Sequence, residues 1–291
     1  MNESPRLYDL HVHTTNSDGR WTPEEVLSGA GHLAGLAITD HSGLTWSDKL
    51  ATLARDHGTQ LLFPGMEIST THKGNKYHVL AYGRGIREPD FEEFAFHPTR
   101  TKNAIYMAVL AELRREGFAL PDGGDILAAP EHPGKWMLSK TLIGGHLVAA
   151  GMDPDEARRV LTEKYDRLKQ EHPDRYLPTI ETIRRVREVG GVPAIAHAWW
   201  ECPSGRNSWA GVGTALAEFR AAGLLGLEVS TRHVTVGTEA ERREVAAELG
   251  LVPTAGSDFH ANGKTALGQF GLDEDEMAEF RRTAEAAGCL L

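Results

Sequence analysis

The sequence predicts an α/β fold: a closed or nearly closed barrel of parallel strands with a helical insertion on one face. Three observations carry that expectation. Short apolar runs, each near the ~4–8 residues usual for a buried parallel strand, alternate with helical patterns. One long interval between two such runs holds helical patterns only. The length of 291 residues is about two average domains, yet barrel folds of roughly 200–250 residues commonly stand as one.

The elements follow in order. A first strand is expected over 7–13. Thr22-Pro23-Glu24-Glu25 then reads as an N-cap, a proline at the first helical position and two acids in the first turn. Further strands are expected at 36–40, 61–67 and 77–82. Helices are expected at 99–117 and 153–170, with turns at Pro121-Asp122-Gly123-Gly124 and Pro130-Glu131-His132-Pro133-Gly134. The segment 179–188 carries apolar residues at 180, 183 and 186 and ends at Gly190-Gly191, and 239–249 ends in the same way at Gly250. The remaining strands are expected at 192–197, 225–229 and 252–256. Residues 1–89 and 179–291 would form the barrel and 90–178 a helical insertion, or cap.

Composition excludes several classes. Hydrophobic residues at 41% and charged residues at 25% describe a globular chain. A formal charge of −10 disfavours long nucleic acid, whose phosphates require clustered Lys and Arg. Two cysteines, Cys202 and Cys289, exclude a disulfide scaffold and a thiolate zinc site. No apolar run approaches the ~20 residues that span a bilayer, so no membrane partner is expected. No basic-then-apolar leader opens the chain, and a cytoplasmic location is expected. Nucleotide-binding glycine loops are missing too. The unusual figure is 14 histidines, histidine being the commonest metal ligand.

Their placement is informative. The first run ends in His11-Val12-His13, and residues two apart on a strand share a face. The second ends in Asp40-His41 and the third in Gly65-Met66-Glu67. The fourth carries His78 early, the fifth ends in His197, the sixth carries Glu228, and the seventh runs into Ser257-Asp258-Phe259-His260. In a parallel barrel the strand C-termini share the face where active sites lie. Any single one of these can be a satisfied core polar residue. Burying charge is costly unless it is paired or metal-bound, so the whole set on one face points to a functional pocket.

The ordered set His11-x-His13, Asp18-Gly19, Thr39-Asp40-His41, Gly65-x-Glu67, His78, Ala196-His197 and Gly256-Ser257-Asp258-x-His260 resembles the PHP (polymerase and histidinol phosphatase) superfamily. It covers residues 7–271 and is most similar to the TrpH-like branch, whose members include phosphatases and 5′–3′ exonucleases. The resemblance implies a distorted (β/α)7 TIM-like barrel with two to three divalent metal ions. By the same resemblance His11, His13, Glu67 and Asp258 would hold one ion. Glu67 would bridge to a second, held also by His78 and His197, and Asp18, His41 and His260 would hold a third. Many family members have His where this chain has Asp18. Asp40 cannot share a face with His41 in strand geometry and is expected to orient a ligand imidazole.

Imidazole and carboxylate donors without thiolate suit Mn, Fe or Zn. The expected chemistry is attack on phosphorus by a metal-bridging hydroxide, with Glu67, Asp258 and His197 as the catalytic set. Arg100 with Lys102, Lys140, Arg232 and His233 are candidate phosphate binders. At 139–142 the chain reads Ser-Lys-Thr-Leu where the branch commonly has Arg-Pro-His, and Ala198 follows His197 where the family usually has Pro. Three of the six tryptophans lie in Ala198-Trp199-Trp200-Glu201-Cys202-Pro203 and at Trp209, either packing barrel against insertion or, through Trp199, walling the substrate site. Cys202 receives no catalytic role. The expected function is hydrolysis of a phosphate monoester of a small metabolite or nucleotide. The alternatives are a 5′–3′ exonuclease or cyclic nucleotide phosphodiesterase, and a metal-dependent C–N or C–O hydrolase. A non-catalytic module would have no need for the complete ligand set.

Overall fold

Residues 6–199, 209–232 and 238–291 are described by a computed structural model, residues 209 and 210 through their backbone alone. Strand β1 (Tyr8–Val12) is buried along its whole length. Helix α1 (Pro23–Gly29) starts where the sequence indicates: Glu25 N–H donates to the Thr22 hydroxyl, and Thr22 N–H donates to the Glu25 carboxylate. Strand β2 (Gly35–Ile38) pairs in parallel with β1. Helix α2 (Asp48–Asp56) follows, capped by Ser47.

Strands β3 (Gly65–His72) and β4 (Asn75–Tyr82) form an antiparallel hairpin. Its two-residue turn, Lys73-Gly74, has φ of 50° and 80°, the positive angles of a type I′ turn. The third strand therefore runs on beyond Glu67 through Ser69-Thr70-Thr71-His72. These residues are strand-forming but polar, and a reading of apolar runs stops short of them. Leu61, the expected start of that strand, makes only an isolated bridge to Leu36.

Helices α3 (Pro89–Ala95), α4 (His97–Arg115), α5 (Gly123–Ala128), α6 (Lys140–Ala149) and α7 (Pro154–Leu168) come next. The expected helices at 99–117 and 153–170 correspond to α4 and α7. Ile105, Val109, Leu113, Ile143 and Leu161 belong to an apolar cluster confined to this segment. Strand β5 (Leu177–Pro178) pairs with β3. The chain continues through α8 (Thr179–Glu188), β6 (Val192–Ala196), α9 (Trp209–Ala221), β7 (Gly226–Ser230), α10 (Glu239–Glu248), β8 (Val252–Ala255) and α11 (Glu274–Ala286). Among the described residues no helix is long and apolar enough to cross a membrane.

The fold is mixed α/β, and it differs from the parallel barrel expected. The strands divide into the pair β1-β2 and a six-stranded sheet of order β5-β3-β4-β6-β7-β8. Strand β4 runs antiparallel to both β3 and β6. Isolated bridges join His41, beyond β2, to Glu67 of β3, and Val12 of β1 to Phe259, beyond β8, without closing a ladder. The reversal accounts for His78. Its register partners are Ser69 on β3 and Ala196 on β6, so the beginning of β4 lies beside the C-terminal end of β6 and its neighbour His197.

Candidate metal centre

Strand alternation puts His11 and His13 on one side of β1, with their Nε2 atoms 3.1 Å apart. The loop after β1 carries Asp18, and the loop after β2 carries His41. Backbone hydrogen bonds from Ser42 to Glu67 and from Glu67 to Asp40 hold His41 against β3. Glu67 is the centre of the cluster. Its Oε1 lies 2.7 Å from His78 Nδ1 and 3.0 Å from His197 Nε2. Its Oε2 lies 3.2 Å from His13 Nε2, 3.3 Å from His41 Nδ1 and 3.5 Å from His11 Nε2. Asp258 Oδ1 is 3.3 Å from His13 Nε2 and 3.3 Å from His260 Nδ1, and His260 Nε2 is 3.3 Å from Asp18 Oδ1.

Three groups here have donor atoms close enough together to share a cation: His13, Asp18, His41 and His260; His11, Glu67 and His197; and His11, His13 and Asp258. These are residues expected from the sequence. The groupings differ in that His11 stands in two of them and His13 joins the set at Asp18. His78 belongs with Glu67 and His197 by its distances.

Other groups fix the rings. Glu228 Oε1 is 3.0 Å from His11 Nδ1, which turns His11 Nε2 toward the cluster. Glu228 Oε2 accepts from the His197 backbone N–H at 2.8 Å. His260 Nδ1 donates to the Asp258 carbonyl at 2.8 Å, leaving Nε2 for Asp18. Backbone strain gathers here as well. Among the described residues the non-glycine positions with positive φ include His197 at 29° and Asp258 at 48°, with Ser42 and Ala261 directly after His41 and His260. Such angles cost about 1–3 kcal/mol each and concentrate at functional sites.

The electrostatics suit a cation. Burial opposes charge on His11, yet Glu228, Glu67 and Asp258 outweigh it and hold its pKa well above the ordinary value. Burial is likewise outweighed at His13, where Asp258 and Glu67 push the pKa up to about 10. Glu67 and Asp18 lie well below the carboxylate range; burial opposes this, but imidazoles surround both. Burial pushes His41 down to about 3, so its ring is neutral. His13 Nδ1, Asp18 Oδ1 and His41 Nδ1 are buried atoms that make no hydrogen bond of good geometry; their nearest charged contacts are Asp18 Oδ1 at 3.7 Å, His260 Nε2 at 3.3 Å and Glu67 Oε2 at 3.3 Å. An unsatisfied buried polar atom costs about 1–3 kcal/mol, and these three lie in one group whose donor atoms are close enough to share a cation. Imidazole nitrogens facing one another near 3 Å, with carboxylate oxygens among them, fit divalent metal.

A cavity of about 340 Å³ opens onto the cluster. Its wall includes Asp18, His41, Glu67, His78, His197, Asp258 and His260 together with Lys140 and Arg232, two of the candidate phosphate binders. Lys140 Nζ donates to the Thr162 hydroxyl at 2.9 Å, and Arg232 Nη2 is 3.1 Å from Asp258 Oδ2. Other expectations are corrected. Arg100 is not in the wall; it pairs with Glu93 at 2.7 Å on the exposed side of α4. Trp199 is buried in the cluster that contains Val212, Leu216 and Phe219 and does not line the cavity. Asp40 accepts from Thr14 N–H and from the hydroxyls of Thr14, Ser17 and Thr45, so it braces the loop carrying Asp18 rather than an imidazole. His233, Trp200 and Cys202 lie outside the described residues.

The sequence reading missed Glu228 as a brace, the cavity cations Lys76 and Arg175, and the rings of Tyr106, Tyr165 and Tyr176. Lys102, noted beside Arg100, is the member of that segment that reaches the cavity. Its pKa is lowered by burial, and Met137 Sδ is 3.6 Å from its ammonium.

No protein-family profile matches the chain. It is 28% identical to the 3′,5′-nucleoside bisphosphate phosphatase of Chromobacterium violaceum over 264 residues, 88% of each protein. It is 27% identical to a 5′-3′ exoribonuclease of Haemophilus influenzae, across 88% of this chain and 90% of that one. A solved structure from Bifidobacterium adolescentis, described as a metal-dependent phosphoesterase, matches with a TM-score of 0.75 at 27% identity, covering 96% of this chain and 98% of that one.

Proposed function

We propose that the chain is a metal-dependent phosphoesterase of the PHP superfamily that hydrolyses a phosphate monoester of a small metabolite or nucleotide, a reading supported by its similarity to the nucleoside bisphosphate phosphatase and the metal-dependent phosphoesterase above. Two to three divalent ions, Mn, Fe or Zn, would be held by the residues of the cluster. His11, His13, Glu67 and Asp258 would take one, and Glu67, His78 and His197 a second. Asp18, His41 and His260 would take a third. When bound, such ions supply an activated water and positive charge opposite the phosphate oxygens.

The chain's own residues do the remainder. Glu67 places one oxygen toward His78 and His197 and the other toward His11, His13 and His41. Glu228 sets the tautomer and tilt of His11. Arg232, steadied by Asp258, presents its guanidinium at the cavity wall, where a phosphate oxygen would meet it. Residues 90–178 act as a cap over the frame formed by 1–89 and 179–291. From the cap, Lys102, Lys140 and Arg175 reach the cavity.

The observation that carries this reading is the cavity itself. In a chain of net charge −10, Lys76, Lys102, Lys140, Arg175 and Arg232 converge on one small space beside the cluster. At about 340 Å³ that space is at the small end of ligand pockets, which run ~300–1,000 Å³. The three tyrosines offer ring faces for a base or sugar. The Haemophilus relative favours a second reading, release of a terminal nucleotide from a short RNA by the same site.

A phosphate-release screen of the metal-loaded protein tests the two. The panel comprises nucleotides, nucleoside bisphosphates, sugar phosphates and short 5′-phosphorylated RNA. Inorganic phosphate from a monoester is the expected product; mononucleotides from RNA without phosphate release would refute the monoesterase reading. Lys102→Met and Lys140→Met should each remove a charged hydrogen bond to phosphate, about 1.5–3 kcal/mol, and raise KM roughly tenfold or more. Arg100→Met, outside the cavity, should leave KM unchanged.

A further inference from the structure

The loop between α5 and α6 grips the segments that carry Asp18 and His41. Lys135 Nζ donates to the Thr15 carbonyl at 2.8 Å and to the Ser17 carbonyl at 2.7 Å. The Trp136 backbone N–H donates to the Asn16 carbonyl at 3.0 Å. The Trp136 indole N–H donates to the His41 carbonyl at 3.0 Å, and its ring lies so close to Gly43 that a Cβ there would stand 2.3 Å from it. On its other side the loop is tied to α4. Asn103 Nδ2 donates to the Trp136 carbonyl and Asn103 Oδ1 accepts from Leu138 N–H, both at 2.8 Å.

We propose that Lys135 and Trp136 are positioning residues for the divalent ion at Asp18, His41 and His260, so that this ion and the docked cap stabilise one another. The proposal rests on the metal assignment above. Its ground is an asymmetry among the ligand groups. His11, Glu67 and His78 lie within strands, and His197 directly follows one. Asp18, His41, Asp258 and His260 lie on loops, and the loops of Asp18 and His41 are held from outside by the same two residues of the cap. Four hydrogen bonds and one close ring contact join cap to ligand loops. An ion that draws Asp18 and His41 together orders the carbonyls to which Lys135 and Trp136 donate. Loss of those donors loosens the two ligands, and by linkage the coupling acts equally in both directions.

The test is a Mn(II) titration of the metal-stripped, full-length protein by equilibrium dialysis, with bound metal counted by mass spectrometry. In a Lys135→Met/Trp136→Phe double variant the weakest binding step should weaken roughly 10–100-fold, as when outer partners of metal ligands are removed, with the tighter steps held within about twofold. Lys135→Arg, which retains the donors, should titrate like the wild type. Mn(II) should slow amide exchange at 134–137 in the wild type and not in the double variant. Asp18→Asn separates the two ideas. If it weakens that step while the double variant titrates as wild type, the positioning role is refuted and the metal assignment stands. If Asp18→Asn changes no step, the assignment fails and the proposal with it. Should the double variant not fold, Trp136→Phe alone, which removes a single N–H donor, is judged by the same criterion.

Discussion

Glu67→Gln is expected to lower turnover about a thousandfold while the protein remains folded. Glu67 is 1% exposed and faces five imidazoles. Losing one charge that stabilises the reacting centre raises a barrier by about 3–4 kcal/mol, and each ~1.4 kcal/mol is a factor of ten in rate. Glutamine keeps the shape and loses the charge. It also offers an amide N–H₂ where the imidazole nitrogens and any shared cation require an acceptor. Steady-state kinetics at saturating metal, with circular dichroism to establish folding, is the measurement. Turnover within tenfold of the wild type would remove Glu67 from the centre of the mechanism. Asp258→Asn should follow in the same direction, because it weakens contacts with His11, His13 and Arg232 together.

Stripping the protein with a chelator should abolish activity and lower Tm, and both should return with Mn(II). A ligand at about 100 times its Kd adds about 2.7 kcal/mol per site, roughly 5 °C per ion for a chain of this size. The pH dependence has a definite sign. His13 is raised from its ordinary 6.5 to about 10 in the metal-free fold. Its protonated form therefore stabilises that fold fully below about pH 6.5, and the contribution is lost as pH rises through about 10. Metal binding needs the neutral ring and must expel the proton. From pH 7 to 9 the metal-free protein should lose stability while its metal affinity rises. Calorimetry in two buffers of different ionisation enthalpy should detect proton release on loading at pH 7.5. Loading without proton release would show that His13 is not a ligand.

Much of the site was legible in the chain because the chemistry is written in local patterns. His11 and His13 share a face through strand alternation alone, and the capping box at Thr22 and Glu25 needs only its own turn. The errors have equally physical sources. Arg100 and Lys102 are two residues apart on α4, and helix geometry turns such residues to different sides. One meets Glu93 in solvent and the other enters the cavity. Asp40 was expected beside an imidazole from its place next to His41, but hydroxyls of a separate loop reach it first.

From the sequence alone came the ligand inventory, the alternation of strands with helices, and the resemblance to a family of metal-dependent phosphoesterases. All of these depend on residue type, order and short-range periodicity. The tertiary structure decided the direction of β4, which hangs on the backbone angles of Lys73-Gly74 and brings His78 to His197. It decided that Glu228 reaches across 217 positions to His11. It also decided which cations, drawn from β4, the segment between β4 and β5 and the chain just after β7, face one cavity. The reason is common to all three. Contacts between residues distant in the chain are selected by packing of the whole fold, and no local pattern encodes them.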